Sequence, residues 1–343
     1  MKVIKYLGKF VAAGITAMLI LSLVFSVYYL IPLRVDNPDQ NTDYKWESNA
    51  LWMRMEEGIS TGKYDANGFN NATVVDNPDV LLLGSSHMEA ANVPQNQNTG
   101  FYLAQMLDGD MSVYNMGISG HTFAKICQYL PRTMQVYDKT PKYIVIETGG
   151  TSITEDDAQE ILNHSVPKTT VSHNSFLNLL QRSPFFRVLY YQYDGGLKKK
   201  LSDARGIQSI ASKHSVYENG EASEIDHKPY DKVFEYLQSL QEEYGTQILI
   251  MYHPTEQLNS DGSVTFPHDD TYDAFSESAE KYNIKVIDTT TAFERMASEK
   301  FQLPHGFFNG KLGVGHLNGN GHYVVAESIY SAIQKEEAND ADH

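Results

Sequence analysis

The sequence predicts an α/β protein, with a central parallel sheet and helices on both of its faces, behind one N-terminal membrane helix. Short apolar runs alternate with segments of helical spacing over most of the chain, which is typical of a doubly wound parallel sheet. The first 34 residues differ from the rest, because a long uncharged apolar stretch lies there between basic and acidic residues. The single cysteine, Cys127, excludes an internal disulfide and a cysteine-rich zinc site.

The net charge limits the classes of partner. The 343 residues include 27 Lys and Arg against 43 Asp and Glu, which gives a net charge of −16. Such an acidic chain is not expected to bind nucleic acid, because the phosphate backbone requires a basic surface. It is not expected to bind anionic lipid headgroups by charge either. An enzyme or a binding protein with a packed core remains.

The apolar stretch from Phe10 to Ile31 predicts a membrane anchor. Its 22 residues would form a helix of about 33 Å, which is enough to cross the hydrocarbon core of a bilayer. Lysines precede it and aspartates follow it, so the positive-inside rule predicts a cytoplasmic N-terminus and a domain outside the cell membrane. The alternative is a cleaved signal peptide, whose apolar core is usually shorter and ends at small residues rather than in YYLIPL.

These patterns predict five consecutive segments. They are a cytoplasmic N-terminus (1–9), a transmembrane signal-anchor helix (10–33), a polar stalk and lead-in containing Trp46 and Trp52 (34–78), a globular domain (79–335) with a helical insertion at about 151–228, and a frayed acidic tail (336–343).

The globular domain alternates predicted strands and helices. Five apolar runs are typical of buried parallel strands: Val80–Leu83, Ser112–Tyr114, Tyr143–Ile146, Gln247–Met251 and Lys285–Ile287. Helical spacing occurs between and after them at Phe101–Leu107, Thr122–Val136, Tyr230–Glu243, Tyr272–Lys281 and His322–Gln334, and within the insertion at Ser175–Gln181 and Lys198–Lys213. Ligands of such sheets bind at the carboxyl ends of the strands. Functional residues are therefore expected there.

Small, hydroxyl and histidine residues follow the strands. Gly84-Ser85-Ser86-His87 follows the first strand, Asn115-Met116-Gly117-Ile118-Ser119-Gly120 the second, and Glu147-Thr148-Gly149-Gly150-Thr151 the third, while Gly313-Val314-Gly315-His316-Leu317-Asn318 precedes the last helix. A serine at a strand-to-helix turn is exposed beside free backbone N–H groups. Taken alone, Ser86 is as consistent with a helix N-cap as with a nucleophile.

Together these blocks resemble the SGNH (GDSL-like) hydrolase superfamily over roughly Asp79 to Ile333, with the insertion unmatched. The resemblance implies a flavodoxin-like three-layer sandwich and an activated serine. It makes Ser86 the nucleophile, His316 the general base, and the N–H groups of Ser86 and Gly120 the donors of an oxyanion hole.

The chain departs from the family pattern at two positions. Thr151 stands where the family has an oxyanion asparagine, so its hydroxyl is the expected substitute. Gly313 stands where the family has the aspartate that orients the histidine. Asp288 and Glu147, each at the end of a predicted strand, are the conceivable replacements.

Other polar residues near these blocks could line a pocket. His87, His121 and His253 are candidates, although histidines in such positions are more often ordinary polar residues of a loop, and Asn318 more often fixes a turn. His316 and His322 are six positions apart with no evident third ligand, so we predict no metal site and no cofactor.

The resemblance and the predicted topology together give a function. We expect a serine-dependent O-acyltransferase or esterase that acts on a cell-surface or secreted polysaccharide, because the domain is predicted outside the membrane. A membrane-anchored domain of this type resembles the extracellular partners of membrane-bound O-acyltransferases, and the resemblance implies such a partner here. The alternative is a catalytically impaired domain that binds glycan or scaffolds that partner.

Overall fold

A computed structural model describes residues 2–28, 30–163, 180–192 and 225–341. The chain forms two compact units, one of Met1–Leu33 with Ser172–Glu224 and one of Arg34–Val171 with Ile225–His343. The predicted helices Ser175–Gln181 and Lys198–Lys213 lie outside the described residues, apart from Leu180 and Gln181.

The secondary structure follows the predicted alternation. The strands are β1 (Arg34–Val35), β2 (Lys45–Trp46), β3 (Leu51–Arg54), β4 (Ser60–Lys63), β5 (Val80–Leu83), β6 (Val113–Asn115), β7 (Tyr143–Thr148), β8 (Gln247–Tyr252), β9 (Gln257–Leu258), β10 (Val264–Thr265) and β11 (Lys285–Asp288). The helices are α1 (Lys2–Tyr28), α2 (Ser86–Glu89), α3 (Thr99–Met106), α4 (Phe123–Gln135), α5 (Glu155–Leu162), α6 (Pro184–Gln192), α7 (Lys228–Tyr244), α8 (Tyr272–Lys281), α9 (Thr290–Lys300) and α10 (Gly319–Ala341). A short 3₁₀ turn (Gln95–Gln97) precedes α3.

The first unit contains α1, which is long and apolar enough to cross a membrane. The helix ends at Tyr28, before the predicted boundary at residue 33. Pro32 accounts for this, since it has no N–H to bond to the Tyr28 carbonyl and its ring disfavours a helical residue before it. Within the same unit the ring of Phe25 stacks on that of Phe185, at the start of α6, with 6.3 Å between centroids.

The second unit is built on a five-stranded parallel sheet in the order β11-β8-β7-β5-β6. Numbered along the chain, these strands run 2-1-3-4-5 from the β6 edge, which is the flavodoxin order. Alternate side chains of each strand enter different apolar clusters, so the sheet is covered on both faces. Helices α4, α5, α7 and α8 cover one face, and α3, α9 and α10 cover the other. The predicted α/β three-layer fold is thereby confirmed.

The segment 34–78 is part of this packed unit rather than a stalk. Trp46 and Trp52 are both buried, and the ring of Trp46 stacks on that of Tyr64. The polar residues that suggested a stalk are largely satisfied internally: Asp65, for example, accepts bonds from the N–H groups of Asn67 and Phe69.

The acidic C-terminal segment, which was predicted to fray from residue 336, is helical as far as Ala341. Helix α10 continues to Ala341, because Glu336 pairs with Lys285 and Glu337 pairs with Lys142. Two acidic residues of the predicted frayed tail therefore have cationic partners, Lys285 on β11 and Lys142 just before β7.

Candidate active site

Ser86 begins a helix directly after the central strand β5. Ser85 is the N-cap, since its hydroxyl accepts the His87 N–H at 3.2 Å, and Ser86 is the first helical residue. The N-cap alternative therefore applies to Ser85. Gly84 is required at this turn, because a Cβ there would lie 2.5 Å from Glu147 Oε2.

His316 and Ser86 meet at this edge of the sheet. The distance from His316 Nε2 to Ser86 Oγ is 2.9 Å, across 230 positions of sequence. The other ring nitrogen, Nδ1, bonds to Glu57 Oε2. A carboxylate at Nδ1 places the ring proton there and leaves the Nε2 lone pair for the serine hydroxyl, which is the arrangement of a catalytic triad. Ser86, His316 and Glu57 thus form a serine–histidine–glutamate triad.

Glu57, rather than Asp288 or Glu147, is the carboxylate that bonds to His316 Nδ1, so neither of the two conceivable replacements takes that place. Asp288 bonds instead to His268 and Tyr272, and Glu147 bonds to His253. Glu57 lies in the lead-in, 259 positions before His316.

Several contacts hold the loop that carries Glu57. Asn309 accepts the Gly58 N–H at 2.8 Å and donates to the carbonyls of Met55 and Gly58. Asn92 donates to the Glu57 carbonyl at 2.8 Å. Glu57 itself has a positive φ of 51°, a conformation that costs free energy and is maintained by such bonds. These hydrogen bonds therefore fix the turn that positions the Glu57 carboxylate.

The predicted donors of the oxyanion hole are two backbone N–H groups that have no intramolecular partner among the described residues. No hydrogen-bond acceptor meets the N–H of Ser86 or that of Gly120 there. The loop before Gly120 is fixed by the buried Glu89, whose carboxylate accepts both the N–H and the hydroxyl of Ser119. Glu89 also accepts the Trp46 indole N–H at 2.9 Å, which ties the lead-in to the same loop.

Thr151 does not have a free hydroxyl for the oxyanion hole, contrary to the prediction. It is completely buried, and its hydroxyl donates to Asp269 while its N–H donates to the same carboxylate at 2.8 Å. A hydroxyl has one proton, which is used here.

The remaining predicted pocket residues divide into two groups. His121 bonds to Asp43 at 2.7 Å inside the core, and Asn318 fixes the start of α10 by accepting the N–H groups of Asn320 and Gly321. Both are structural contacts. His87 and His253 do lie at the site: the His87 ring centroid is 5.1 Å from that of His316 and 4.6 Å from that of His253.

A buried charge lies behind the serine turn. Glu147 accepts His253 Nε2 at 2.8 Å and the Ser85 N–H at 2.6 Å. Burial raises the pKa of Glu147, but the bonds from His253 and Ser85 outweigh it and hold the pKa below its usual value. Burial, and then the neighbouring histidines, lower the pKa of His87 well below its usual value.

The fold and the triad together define an α/β protein of flavodoxin order with a serine–histidine–glutamate site at the carboxyl edge of its sheet. Several solved structures are similar to it at a distance. LAE5, an alpha/beta hydrolase from the metagenome of Lake Arreo, Spain, is 14% identical with a TM-score of 0.39, covering 74% of this chain and 93% of its own. The acetyl xylan esterase AlAXEase is 12% identical with a TM-score of 0.41, covering 74% and 98%. Axe2, an acetylxylan esterase from Geobacillus stearothermophilus, is 16% identical with a TM-score of 0.37, covering 73% and 91%. No protein-family model and no curated protein matches the chain.

Proposed function

We propose that this protein is a serine-dependent acyltransferase or esterase. The observation that carries the proposal is the chain of contacts from Ser86 through His316 to Glu57. Such a chain activates a hydroxyl for attack on an acyl carbonyl.

Each step can be assigned to a residue. His316 Nε2 takes the Ser86 proton as Oγ forms a bond to the acyl carbon, and the N–H groups of Ser86 and Gly120 stabilise the resulting oxyanion. Collapse breaks the bond to the leaving oxygen, which receives the proton from His316. An acceptor hydroxyl then gives its proton to His316 as its oxygen bonds to the acyl carbon. The bond from that carbon to Ser86 Oγ breaks, and Oγ takes the proton back from His316.

The acceptor that we propose is a cell-surface or secreted polysaccharide. Helix α1 is long enough to cross a membrane, and the three lysines in residues 1–9 favour a cytoplasmic N-terminus. The catalytic unit would then lie outside the cell, where envelope polymers rather than soluble metabolites are the abundant hydroxyl acceptors. A membrane-bound O-acyltransferase is the proposed supplier of acyl groups.

Turnover of p-nitrophenyl acetate by the detergent-solubilised full chain tests the proposal. We expect slow release of p-nitrophenol that rises when mixed cell-wall oligosaccharides are added, with one acetyl group appearing on the sugar by mass spectrometry. Ser86→Ala is expected to lose both signals. Release without transfer would assign a hydrolase. A folded chain with no turnover would favour the glycan-binding or scaffolding alternative.

A further inference from the structure

Three imidazole rings from distant parts of the chain meet beside the triad. His87 follows Ser86 on α2, His253 follows β8, and His305 lies in the loop between α9 and α10. The ring centroids of His253 and His305 are 5.6 Å apart, and those of His87 and His305 are 5.8 Å apart. Each ring offers one nitrogen, and the three nitrogens all lie within 4.8 Å of one another.

Two ring nitrogens of this cluster are buried and have no hydrogen-bond partner among the described residues. His253 and His305 are only 2% and 1% exposed. Within the part of the chain that the structure describes, Nδ1 of His253 and Nε2 of His305 neither accept nor donate a hydrogen bond. Buried polar atoms in native proteins nearly always have a partner. We therefore expect a further group, one that is not part of the described chain, to contact these two nitrogens.

The opposite nitrogen of each ring is held by a buried carboxylate. His253 Nε2 donates to Glu147, and His305 Nδ1 donates to Glu256, which also accepts the His305 backbone N–H at 3.1 Å. These bonds fix the ring protons on the outer nitrogens and leave lone pairs on the inner ones. A carboxylate behind a histidine is the usual support of a metal ligand, since it orients the ring and increases its basicity.

We propose that His87, His253 and His305 bind one Zn²⁺ ion. Neutral imidazole nitrogens suit zinc, and three histidines with one open position are a common catalytic arrangement. Tetrahedral zinc needs ligand nitrogens about 3.4 Å apart, so small ring rotations complete the site. His87 would give up one bond to bind zinc: its Nδ1 accepts the Leu317 N–H at 3.3 Å, and coordination through Nε2 would move the ring proton to Nδ1 and break this long bond.

The ion would lie close to the triad, because the His87 ring centroid is 5.1 Å from that of His316, which bonds to Ser86 Oγ. If the proposed function holds, a bound zinc would supply positive charge beside the reacting ester. Zinc binding itself does not depend on that function, since none of the three ligands belongs to the triad.

The test is zinc binding by the full chain in detergent, purified with a tag that contains no histidine. The chelator-treated protein is titrated with ZnCl₂ against a chromophoric chelator, and its metal content is measured after dialysis. We expect one zinc per chain in the wild type and in Ser86→Ala, which separates this proposal from the catalytic one. His87→Ala and His253→Ala are expected to lose the zinc, while His268→Ala, a histidine paired with Asp288 outside the cluster, keeps it.

A conservative variant covers the case in which a ligand variant does not fold. Glu256→Gln retains the shape of the side chain and is expected to weaken zinc binding by about 10- to 100-fold. Substitution with Co²⁺ is expected to give the visible absorption of a tetrahedral nitrogen site in the wild type. A wild-type chain that takes up no zinc would overturn the proposal, and so would uptake that is the same in His87→Ala and Glu256→Gln; the cluster would then hold an ordered water.

Discussion

Replacement of Glu57 by Gln tests whether the Glu57 carboxylate, which the sequence did not identify, orients His316 for catalysis. The amide NH₂ can donate to His316 Nδ1, which favours the tautomer with its proton on Nε2 and removes the acceptor for the Ser86 proton. The net contribution of a hydrogen bond to a charged group is about 1.5–3 kcal/mol, which corresponds to about 10- to 150-fold in rate. The side chains of His316 and Glu57 are 29% and 38% exposed, so water partly replaces the lost contact. We therefore expect kcat to fall about 10²-fold rather than the ~10⁴-fold of a buried triad.

The assay is p-nitrophenyl acetate turnover, with kcat and KM measured separately. KM should change little, because Glu57 contacts His316 and not the substrate. Glu56→Gln is the matched control, since it removes the same charge from the neighbouring, exposed residue. A Glu57→Gln variant that retains more than half of the wild-type kcat, while Ser86→Ala is inactive, would refute the triad.

Three further predictions follow from individual contacts. Gly315→Ala places a Cβ 2.1 Å from Glu57 Oε1 at a φ of 96°, so it should displace the carboxylate and reduce kcat by a similar factor of about 10². In Glu89→Gln, buried donors such as the Ser119 N–H lose their carboxylate acceptor and face an amide instead. The free energy of unfolding in urea, followed by tryptophan fluorescence, should therefore fall by about 3 kcal/mol. Burial lowers the pKa of His322 to about 3, so the folded state keeps it neutral while the unfolded state protonates it below about pH 6.5. Its contribution to stability is therefore complete above that pH and falls by about 2 kcal/mol at about pH 5, and His322→Asn should reduce the acid dependence of unfolding by that amount.

Each of these predictions has a result that contradicts it. Wild-type kcat in Gly315→Ala would mean that the loop relaxes without moving Glu57. For Glu89→Gln, an unfolding midpoint equal to that of Glu56→Gln would show that the buried Glu89 carboxylate does not stabilise the folded state. An unchanged acid dependence in His322→Asn, compared with the exposed His268→Asn, would show that other groups control unfolding.

The fold was predictable because its strands are buried on both faces and so appear as continuous apolar runs. Strand β5 was predicted with the observed bounds, and helix α8 was too. The lead-in was not predictable in the same way. Its strands are two to four residues long, and its buried polar residues satisfy one another through tertiary hydrogen bonds that leave no periodicity in the sequence.

The residues of the candidate site also differ in how far the sequence predicts them. Ser86 could be found because it lies in a recognisable block at a strand end, and His316 because it lies in a recognisable block before the last helix. Glu57 could not, since a single glutamate in a polar segment gives no signal and its partner lies 259 positions away. His305 and Glu256 were missed for the same reason, because spacing along the chain identifies metal ligands only when they share one element.

Covalent labelling shows whether His316 and Glu57 activate the Ser86 hydroxyl. The full chain is treated with a fluorophosphonate, digested, and the modified peptide is identified by mass spectrometry. We expect a single adduct on Ser86, formed much more slowly in His316→Ala and Glu57→Gln and absent from Ser86→Ala. A folded wild-type chain with no adduct, or an adduct that forms equally fast in His316→Ala, would contradict this activation.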